Sequence, residues 1–283
     1  MTLSPAEPPE TTLRRLGSQP DEHVDLMEAA LAFAAAGRPG RSTEPYLNRL
    51  AQWRRVFRQQ AGDIRTASAR AQALRNFLFV EYGFTGDRER YDDLDNADLM
   101  AVLDRRKGLP VAIGILYLDM AKAAGWPAAG LDFPSHFLIR VEGDGERVVI
   151  DPFNGGATVE AADMRAILKR LVGPAAELRP HYYAPISSKA VLLRLQNNIK
   201  IRAIRAGDMT MATEVLRRML LLDPLFAEGW YELAVLEIHL GKPRSARDAL
   251  ESCLNALDSG PERTALRAQV METLAALAAE LNS

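Results

Sequence analysis

One long apolar segment dominates the middle of the chain. Val111 to Ala124 is apolar on nearly every side, and Asp119 and Lys122 are the polar exceptions. A helix that is apolar all round must be buried, with other elements packed around it. Gly108-Leu109-Pro110 predicts where this helix begins, because the missing N–H of a proline has no partner in a first turn anyway. Gly125-Trp126-Pro127 predicts where it ends.

A β-hairpin is predicted directly after this helix. Two apolar runs, His136 to Val141 and Arg147 to Asp151, flank the turn sequence Gly143-Asp144-Gly145. The two ends of an antiparallel hairpin lie side by side. His136 and Asp151 are therefore predicted to be neighbours, although they are 15 residues apart (151 − 136). A histidine beside a carboxylate holds one tautomer and gains a stabilised imidazolium, which suits a general base.

A repeat pattern begins in the sequence at about Ser188. Three pairs of residues are spaced by 34 positions, the length of a tetratricopeptide repeat: Gly207 and Gly241, Ala212 and Ala246, Leu216 and Leu250. The spacing predicts two repeats, over about 190–223 and 224–257, followed by a capping helix from Pro261 to Leu281. Such arrays bind peptides or partner proteins, and the alternative is that these two repeats only buttress the preceding domain.

The helix and hairpin together resemble the core of the transglutaminase and papain-like families. That core has a buried helix opened by a glycine turn, a strand that starts with His and a strand that ends with Asp. Gly125-Trp126-Pro127-Ala128 is similar to the segment that closes the helix in transglutaminase-like domains. With the repeats included, residues 45 to 260 resemble the bacterial SirB-type proteins. The resemblance implies a mostly helical α+β fold: a papain/transglutaminase-like core with a small antiparallel sheet, followed by tetratricopeptide-like repeats.

The same resemblance implies roles for three positions. In these families a cysteine attacks an acyl group, a histidine activates the cysteine and an aspartate orients the histidine. His136 matches the base and Asp151 the orienting acid, but Pro110 stands at the position of the nucleophile. A proline ring cannot attack an acyl carbon. The resemblance therefore implies the fold and not the activity, and His136 and Asp151 are interpreted as the remnant of a catalytic site.

Two residues are possible substitutes for the nucleophile. Cys253 is the single cysteine, lies far downstream among the repeats and is predicted to be a small buried apolar residue. Ser135 adjoins His136, but neighbours on a strand point to opposite faces, which argues against this serine.

Aromatic residues near the remnant pair are candidates for the walls of a cleft that binds a small ligand or a peptide: Trp126, Phe133 and Phe153. No pattern indicates a cofactor or a metal. The acidic run from Tyr91 to Asp98 lacks the EF-hand spacing and is interpreted as a turn and a helix cap. Gly155-Gly156 allows close backbone approach but lacks the spacing of a phosphate-binding loop.

Composition excludes several classes of function. A net charge of −2, with acidic and basic residues interspersed, indicates no nucleic-acid surface. One cysteine in 283 residues rules out a disulfide framework and fits a reducing compartment. No apolar run is long enough to span a membrane, and the first 20 residues lack a signal-peptide pattern. The expectation is a cytoplasmic protein with neither nucleic-acid nor membrane partners, and no oligomeric state is predicted.

Three segments are expected along the chain. Residues 1–20 contain four prolines and are predicted to be disordered. Residues 21–185 are predicted to form the transglutaminase-like domain with its N-terminal helices, and residues 186–283 the repeat domain with its capping helix. Among the N-terminal helices, three arginines lie off the apolar stripe and are predicted to face solvent: Arg54, Arg55 and Arg58.

Two functions follow from these patterns. The first is a non-catalytic protein-binding or scaffold module that binds a protein or peptide partner through the C-terminal repeats. The alternative is a hydrolase or acyl-transfer enzyme that uses His136 and Asp151 with a non-cysteine nucleophile or with water. We expect the first, because Pro110 replaces the nucleophile.

Overall fold

The computed structural model of the chain describes residues 7–257 and 263–281. Contacts within the chain divide it into two compact units, one over residues 21–195 and one that combines residues up to 20 with those from 196 onward. The architecture is α+β and mostly helical, as predicted. The α-helices in chain order are α1 (Pro9–Gly17), α2 (Leu26–Gly37), α3 (Glu44–Ala61), α4 (Ala67–Arg75), α5 (Leu99–Arg105), α6 (Pro110–Ala123), α7 (Ala161–Val172), α8 (Ser188–Arg205), α9 (Met209–Leu222), α10 (Ala227–His239), α11 (Pro243–Ala256) and α12 (Thr264–Leu281).

Two small sheets belong to the unit over residues 21–195. A parallel pair joins β1 (Thr85–Gly86) to β2 (Lys107–Gly108). The larger sheet has four antiparallel strands in the order β3-β4-β5-β6: β3 (Ala128–Gly130), β4 (Ile139–Gly143), β5 (Glu146–Asp151) and β6 (Ala157–Thr158). A π-helical turn, Asn76–Glu81, extends α4, and a 3-10 helix, Pro152–Asn154, follows β5.

Helix α6 is the centre of this unit. Its residues from Pro110 to Ala121 are all buried, which confirms the predicted apolar helix. It packs against α2, α3 and β3 and against the 3-10 helix after β5. Burying one Leu or Ile side chain contributes about 1.5–3 kcal/mol, so this helix is a large part of the core.

The predicted hairpin is present, but its first strand is shorter than expected. Strand β4 pairs with β5 from Ile139 opposite Ile150 to Gly143 opposite Glu146. The prediction that His136 opens the strand is wrong, because His136 lies in the turn before β4. Ser135 has a φ of +58°, a left-handed conformation that interrupts extended backbone.

The repeat region has the helical pairs that the 34-residue spacing predicts. Helices α8 and α9 cover the first predicted repeat, and α10 and α11 cover the second. Gly207 and Gly241, one repeat apart, both have positive φ (79° and 68°) in the turns between the paired helices. The helix after the two pairs, α12, begins at Thr264, while Pro261, its predicted first residue, lies outside the described residues. Val270 and Leu277 of its predicted apolar stripe are buried.

The N-terminal segment differs from the prediction of disorder. Residues 9–17 form α1, which packs against α9 and buries Leu13 and Leu16. A β-carbon at Gly17 would lie 2.5 Å from the carbonyl oxygen of Leu222, so only glycine permits this close approach. The prolines do not prevent the helix, because Pro9 stands in its first turn. Residues 1–6 of the predicted disordered segment lie outside the described residues.

In the described part of the chain, none of the helices combines the length and the apolar character that crossing a bilayer requires.

Candidate functional site

The structure brings His136 and Asp151 together at the end of the hairpin. Nε2 of His136 lies 2.9 Å from Oδ2 of Asp151. Asp151 is the last residue of β5 and is only 1% exposed, while the side chain of His136 is 10% exposed. The pair therefore presents one edge of an imidazole to the surface and keeps its carboxylate covered.

Hydrogen bonds to Asp151 identify its oxygens as acceptors. The carboxylate caps the 3-10 helix by accepting from the backbone N–H groups of Phe153 (3.0 Å) and Asn154 (3.3 Å), and it also accepts from the Asn154 side-chain amide. Since an ionised carboxylate only accepts, Nε2 of His136 must donate its proton to it. Nδ1 of His136 is then the ring nitrogen with a free lone pair, and in residues 7–257 and 263–281 no side chain hydrogen-bonds to it. The ring can accept a proton there.

Two consecutive glycines hold the turn under Asp151. Gly155 and Gly156 have φ values of +66° and +73°, which favour glycine. A β-carbon at Gly155 would meet the ring of Phe79 at 2.9 Å, and one at Gly156 would meet the hydroxyl of Tyr117 at 2.5 Å. This is the close backbone approach that the sequence indicated.

Tyr117 lies beneath the site on α6. Its side chain is fully buried, and its hydroxyl has no hydrogen-bond partner among the described residues. Burial raises the pKa of this hydroxyl, and the nearby charge of Asp151 acts in the same direction. Tyr117 is therefore a neutral phenol that fills space behind the Gly156 turn.

His136 faces a pocket of about 250 Å³. Pro110 lines the same pocket, so the residue at the predicted nucleophile position and the predicted base share one cavity. The Phe153 ring stands nearly perpendicular to the imidazole, with 6.2 Å between the ring centroids. The residues that line the pocket are Arg88, Tyr91, Pro110, Ser135, His136, Phe153, Asn154, Arg170 and Leu171.

Among these residues there is no thiol to replace the missing nucleophile. Cys253 is fully buried in α11, where its Sγ–H donates to the carbonyl of Ala227 at 3.2 Å and burial raises the pKa of the thiol. The argument that set Ser135 aside is wrong, because Ser135 and His136 lie in a turn and not on a strand, and both line the pocket. No hydrogen bond joins the two side chains within the described ranges.

Of the three aromatic residues predicted to line a cleft, Phe153 does so beside His136. Trp126 lines a different pocket of about 440 Å³, and the guanidinium of Arg70 lies over its ring at 5.5 Å. Phe133 is fully buried in a core cluster with Leu131 and Leu138. These two predictions are wrong for different reasons: Trp126 follows the C-terminal end of α6, whereas the pocket lies at its N-terminal end beside Pro110, and Phe133 packs into the core instead of the pocket.

The pocket also contains residues that the sequence did not single out. Arg88 lies two residues after the end of β1, and Arg170 lies in the last turn of α7. Tyr91 belongs to the acidic run, whose aspartates act as caps: Asp93 accepts from the N–H of Asp95 and Asp98 from that of Ala101, as predicted. Nothing in the local sequence distinguishes Arg88 or Arg170 from other surface arginines.

Comparison with known proteins finds family models that match two parts of the chain. A model of the Transglutaminase-like superfamily matches residues 44–197, and a Tetratricopeptide repeat model matches residues 199–271. A UPF0162 protein of Pseudomonas aeruginosa is 32% identical over 241 residues, 85% of this chain and 88% of its own length. A UPF0162 protein of Vibrio cholerae is 33% identical over 190 residues, 67% and 70% of the two chains. Protein SirB1 of Salmonella typhimurium is 26% identical over 179 residues, 63% and 65% of the two chains. The predicted resemblance to SirB-type proteins is confirmed.

Proposed function

Because this chain belongs to the Transglutaminase-like superfamily, we propose that it is a catalytically silent member that works as a protein-binding or scaffold module. The observation that carries the proposal is Pro110 in the pocket beside His136. A covalent acyl-transfer mechanism needs a nucleophile within hydrogen-bond reach of the base, and a proline ring has no atom that can attack.

An exposed apolar surface on the repeats supports the binding role. Ile201 and Ile204 of α8 are each 37% exposed, and one repeat later Val235 and Ile238 of α10 are 45% and 36% exposed. The pairs 201/235 and 204/238 are both 34 residues apart (235 − 201, 238 − 204). Equivalent positions of successive repeats face the same side of an array, so these four side chains form one stripe. We name it the repeat stripe.

The helices that bear the repeat stripe are joined by an ion pair. Lys200 of α8, 5% exposed, pairs with Glu232 of α10. The pair holds the two helices in register and leaves the apolar residues beside it uncovered. A row of apolar side chains flanked by charges fits a peptide or helix that inserts its own apolar side chains.

Variants of the repeat stripe test the proposal. Ile201→Asp or Val235→Asp should abolish capture of a partner from a lysate of the source organism, because a charge on this stripe opposes apolar burial. Leu225→Asp is the control, since Leu225 is 72% exposed but lies in the turn before α10. Quantitative mass spectrometry should find the same partner with the parent, Leu225→Asp and His136→Ala chains. A partner lost equally in all variants would contradict the proposal.

A second candidate is a hydrolase that uses His136 as a general base with water or with Ser135. The intact 2.9 Å contact with Asp151 and the position of His136 in the wall of the pocket, beside Ser135, favour it. Turnover of a panel of ester and amide substrates by the parent chain, insensitive to thiol reagents and abolished in His136→Ala, would establish this function and exclude the silent one.

The domain boundaries and the cellular location are also proposals. We retain a transglutaminase-like domain over residues 21–185, a repeat domain over 186–283 and a cytoplasmic location. The contacts of the described residues divide the chain at 195/196, which lies within α8, ten residues after the proposed boundary (195 − 185).

A further inference from the structure

We propose that the pocket beside His136 binds a carboxylate group on a short aliphatic stem. This ligand site lies in the residue 21–195 unit and is separate from the repeat stripe. The proposal does not require that the chain be silent or active, because it concerns what the pocket recognises.

The charged side chains that line the pocket are of one sign. Two arginines, Arg88 and Arg170, line it, and none of the aspartates or glutamates in the described part of the chain does. Asp151 places one negative charge next to His136, but it is 1% exposed and its oxygens already accept from His136, from two backbone N–H groups and from Asn154, so it does not line the pocket. The two arginines therefore leave an excess of positive charge at the pocket wall, which attracts anions.

Neither arginine forms an ion pair within the described ranges. Arg88 donates to the amide oxygen of Asn154, a neutral partner, and its guanidinium lies 5.8 Å from the centroid of the Phe153 ring. An arginine has five N–H donors, so Arg88 is held in place with donors to spare. Arg170 is exposed in the last turn of α7, and no carboxylate contacts it in the part of the chain that the structure describes.

A third arginine holds the turn that carries Ser135 and His136. Arg194 donates to the backbone carbonyls of Phe133 and His136 and thereby fixes the backbone on which the imidazole is mounted.

The remaining walls define the rest of the ligand. Pro110, Phe153 and Leu171 are apolar, and the cavity of about 250 Å³ is small for an organic ligand. A carboxylate between the two arginines would leave room for a stem of a few methylene groups against these walls. A glutamate side chain and a free short dicarboxylic acid such as glutarate share this chemistry.

Binding to the full chain, followed by nuclear magnetic resonance at low salt, tests the proposal. The probes are N-acetyl-glutamate N-methylamide, its neutral glutamine isostere and glutarate. We expect the glutamate compound to shift the His136 ring signals and to bind at least tenfold more tightly than the glutamine compound. Raising the ionic strength should weaken the binding, because charge attraction supplies it. Equal binding of the charged and neutral isosteres would overturn the proposal.

Substitution of each pocket arginine tests whether these two residues bind the carboxylate. Arg88→Met and Arg170→Met should each weaken the binding of the glutamate compound about tenfold, since each removes one charge-assisted contact. Arg165→Met is the matched control, because Arg165 lies on the same helix but faces Glu177 at 3.8 Å and does not line the pocket. Undiminished binding in both pocket variants, or the same loss in the control, would overturn the proposal.

The probes also distinguish the source of the carboxylate. Tighter binding of the capped glutamate than of glutarate assigns a protein side chain, and the reverse assigns a small acid; both support the site. Tighter binding of inorganic phosphate than of either would overturn the carboxylate assignment. All probes are too short to test binding by the repeats, so failure here leaves the partner proposal intact.

Discussion

At the residue scale, Pro110 is the residue that distinguishes this chain from an acyl-transfer enzyme with a cysteine nucleophile. It begins α6, lines the pocket beside His136 and supplies no nucleophilic atom. The helix tolerates it, because the first N–H groups of a helix have no intrahelical partner. No intrahelical hydrogen bond at position 110 depends on the proline, and His136 and Asp151 are already in contact.

Restoring a thiol tests whether that arrangement still activates a nucleophile. In Pro110→Cys we expect a thiolate stabilised by the His136 imidazolium, and hence a midpoint of alkylation by iodoacetamide below the value of about 8.5 for free cysteine. The pH dependence of the alkylation rate measures it. Pro110→Cys/His136→Ala should restore an ordinary midpoint, and buried Cys253 in the parent should react slowly. Identical midpoints with and without His136 would show that the ring does not face position 110.

Gly156 shows how tightly the turn under the site is built. Gly156→Ala should destabilise the protein by about 3 kcal/mol, because the alanine would have an unfavourable positive φ and its β-carbon would overlap the Tyr117 hydroxyl. Gly145→Ala is the control: its φ is +77°, but no atom of the described residues lies within 4 Å of the new carbon, so about 1 kcal/mol is expected. Urea denaturation measures both, and equal losses would refute the packing argument.

At the scale of elements, α3 and α6 are joined by a covered ion pair. Arg54 of α3 contacts Asp119 of α6 with Nε–oxygen distances of 2.9 and 3.0 Å, and it also contacts Asp25, the N-cap of α2. Asp119 is 5% exposed. The prediction that Arg54 faces solvent is wrong, because an acidic residue on a helix distant in sequence neutralises it. The ion pair with Arg54 therefore explains why Asp119 is polar within the otherwise apolar helix α6.

Removing Arg54 leaves a buried carboxylate without its partner. Arg54→Met should cost about 3–5 kcal/mol at neutral pH. Burial already raises the pKa of Asp119, and loss of the arginine raises it further. When the pKa of a carboxyl is higher in the folded than in the unfolded protein, ionisation of that carboxyl lowers the free energy of unfolding. The loss is complete above the folded pKa and disappears below the unfolded pKa of about 3.9. The deficit should therefore shrink as the pH falls from 7 towards 4, as measured by urea denaturation.

Two further variants check this interpretation. Arg54→Met/Asp119→Leu removes both charges and should recover most of the lost stability. Arg55→Met, at the exposed neighbouring position, should change stability by less than about 0.5 kcal/mol. Equal destabilisation of the single and double variants would mean that lost packing, and not an unpaired charge, is the cause.

At the scale of the whole molecule, two kinds of surface are available for function. The residue 21–195 unit has a small positively charged pocket above a covered His–Asp pair. The repeat unit has an apolar stripe that recurs at the repeat period. The first suits a small charged group and the second an extended apolar partner. The two proposals can therefore be tested independently, one by short probes and the other by capture of a partner.

The sequence by itself determined the features that depend on local or periodic patterns. These are the buried helix α6, the hairpin that brings His136 to Asp151, the proline at position 110 and the 34-residue repeat. Tertiary structure alone decided that Arg88 and Arg170 share the pocket, that Arg54 meets Asp119 and that Phe133 points into the core. It also decided that α1 is ordered against α9. The physical reason is that these outcomes depend on contacts between residues far apart in the chain, and no short-range pattern encodes them.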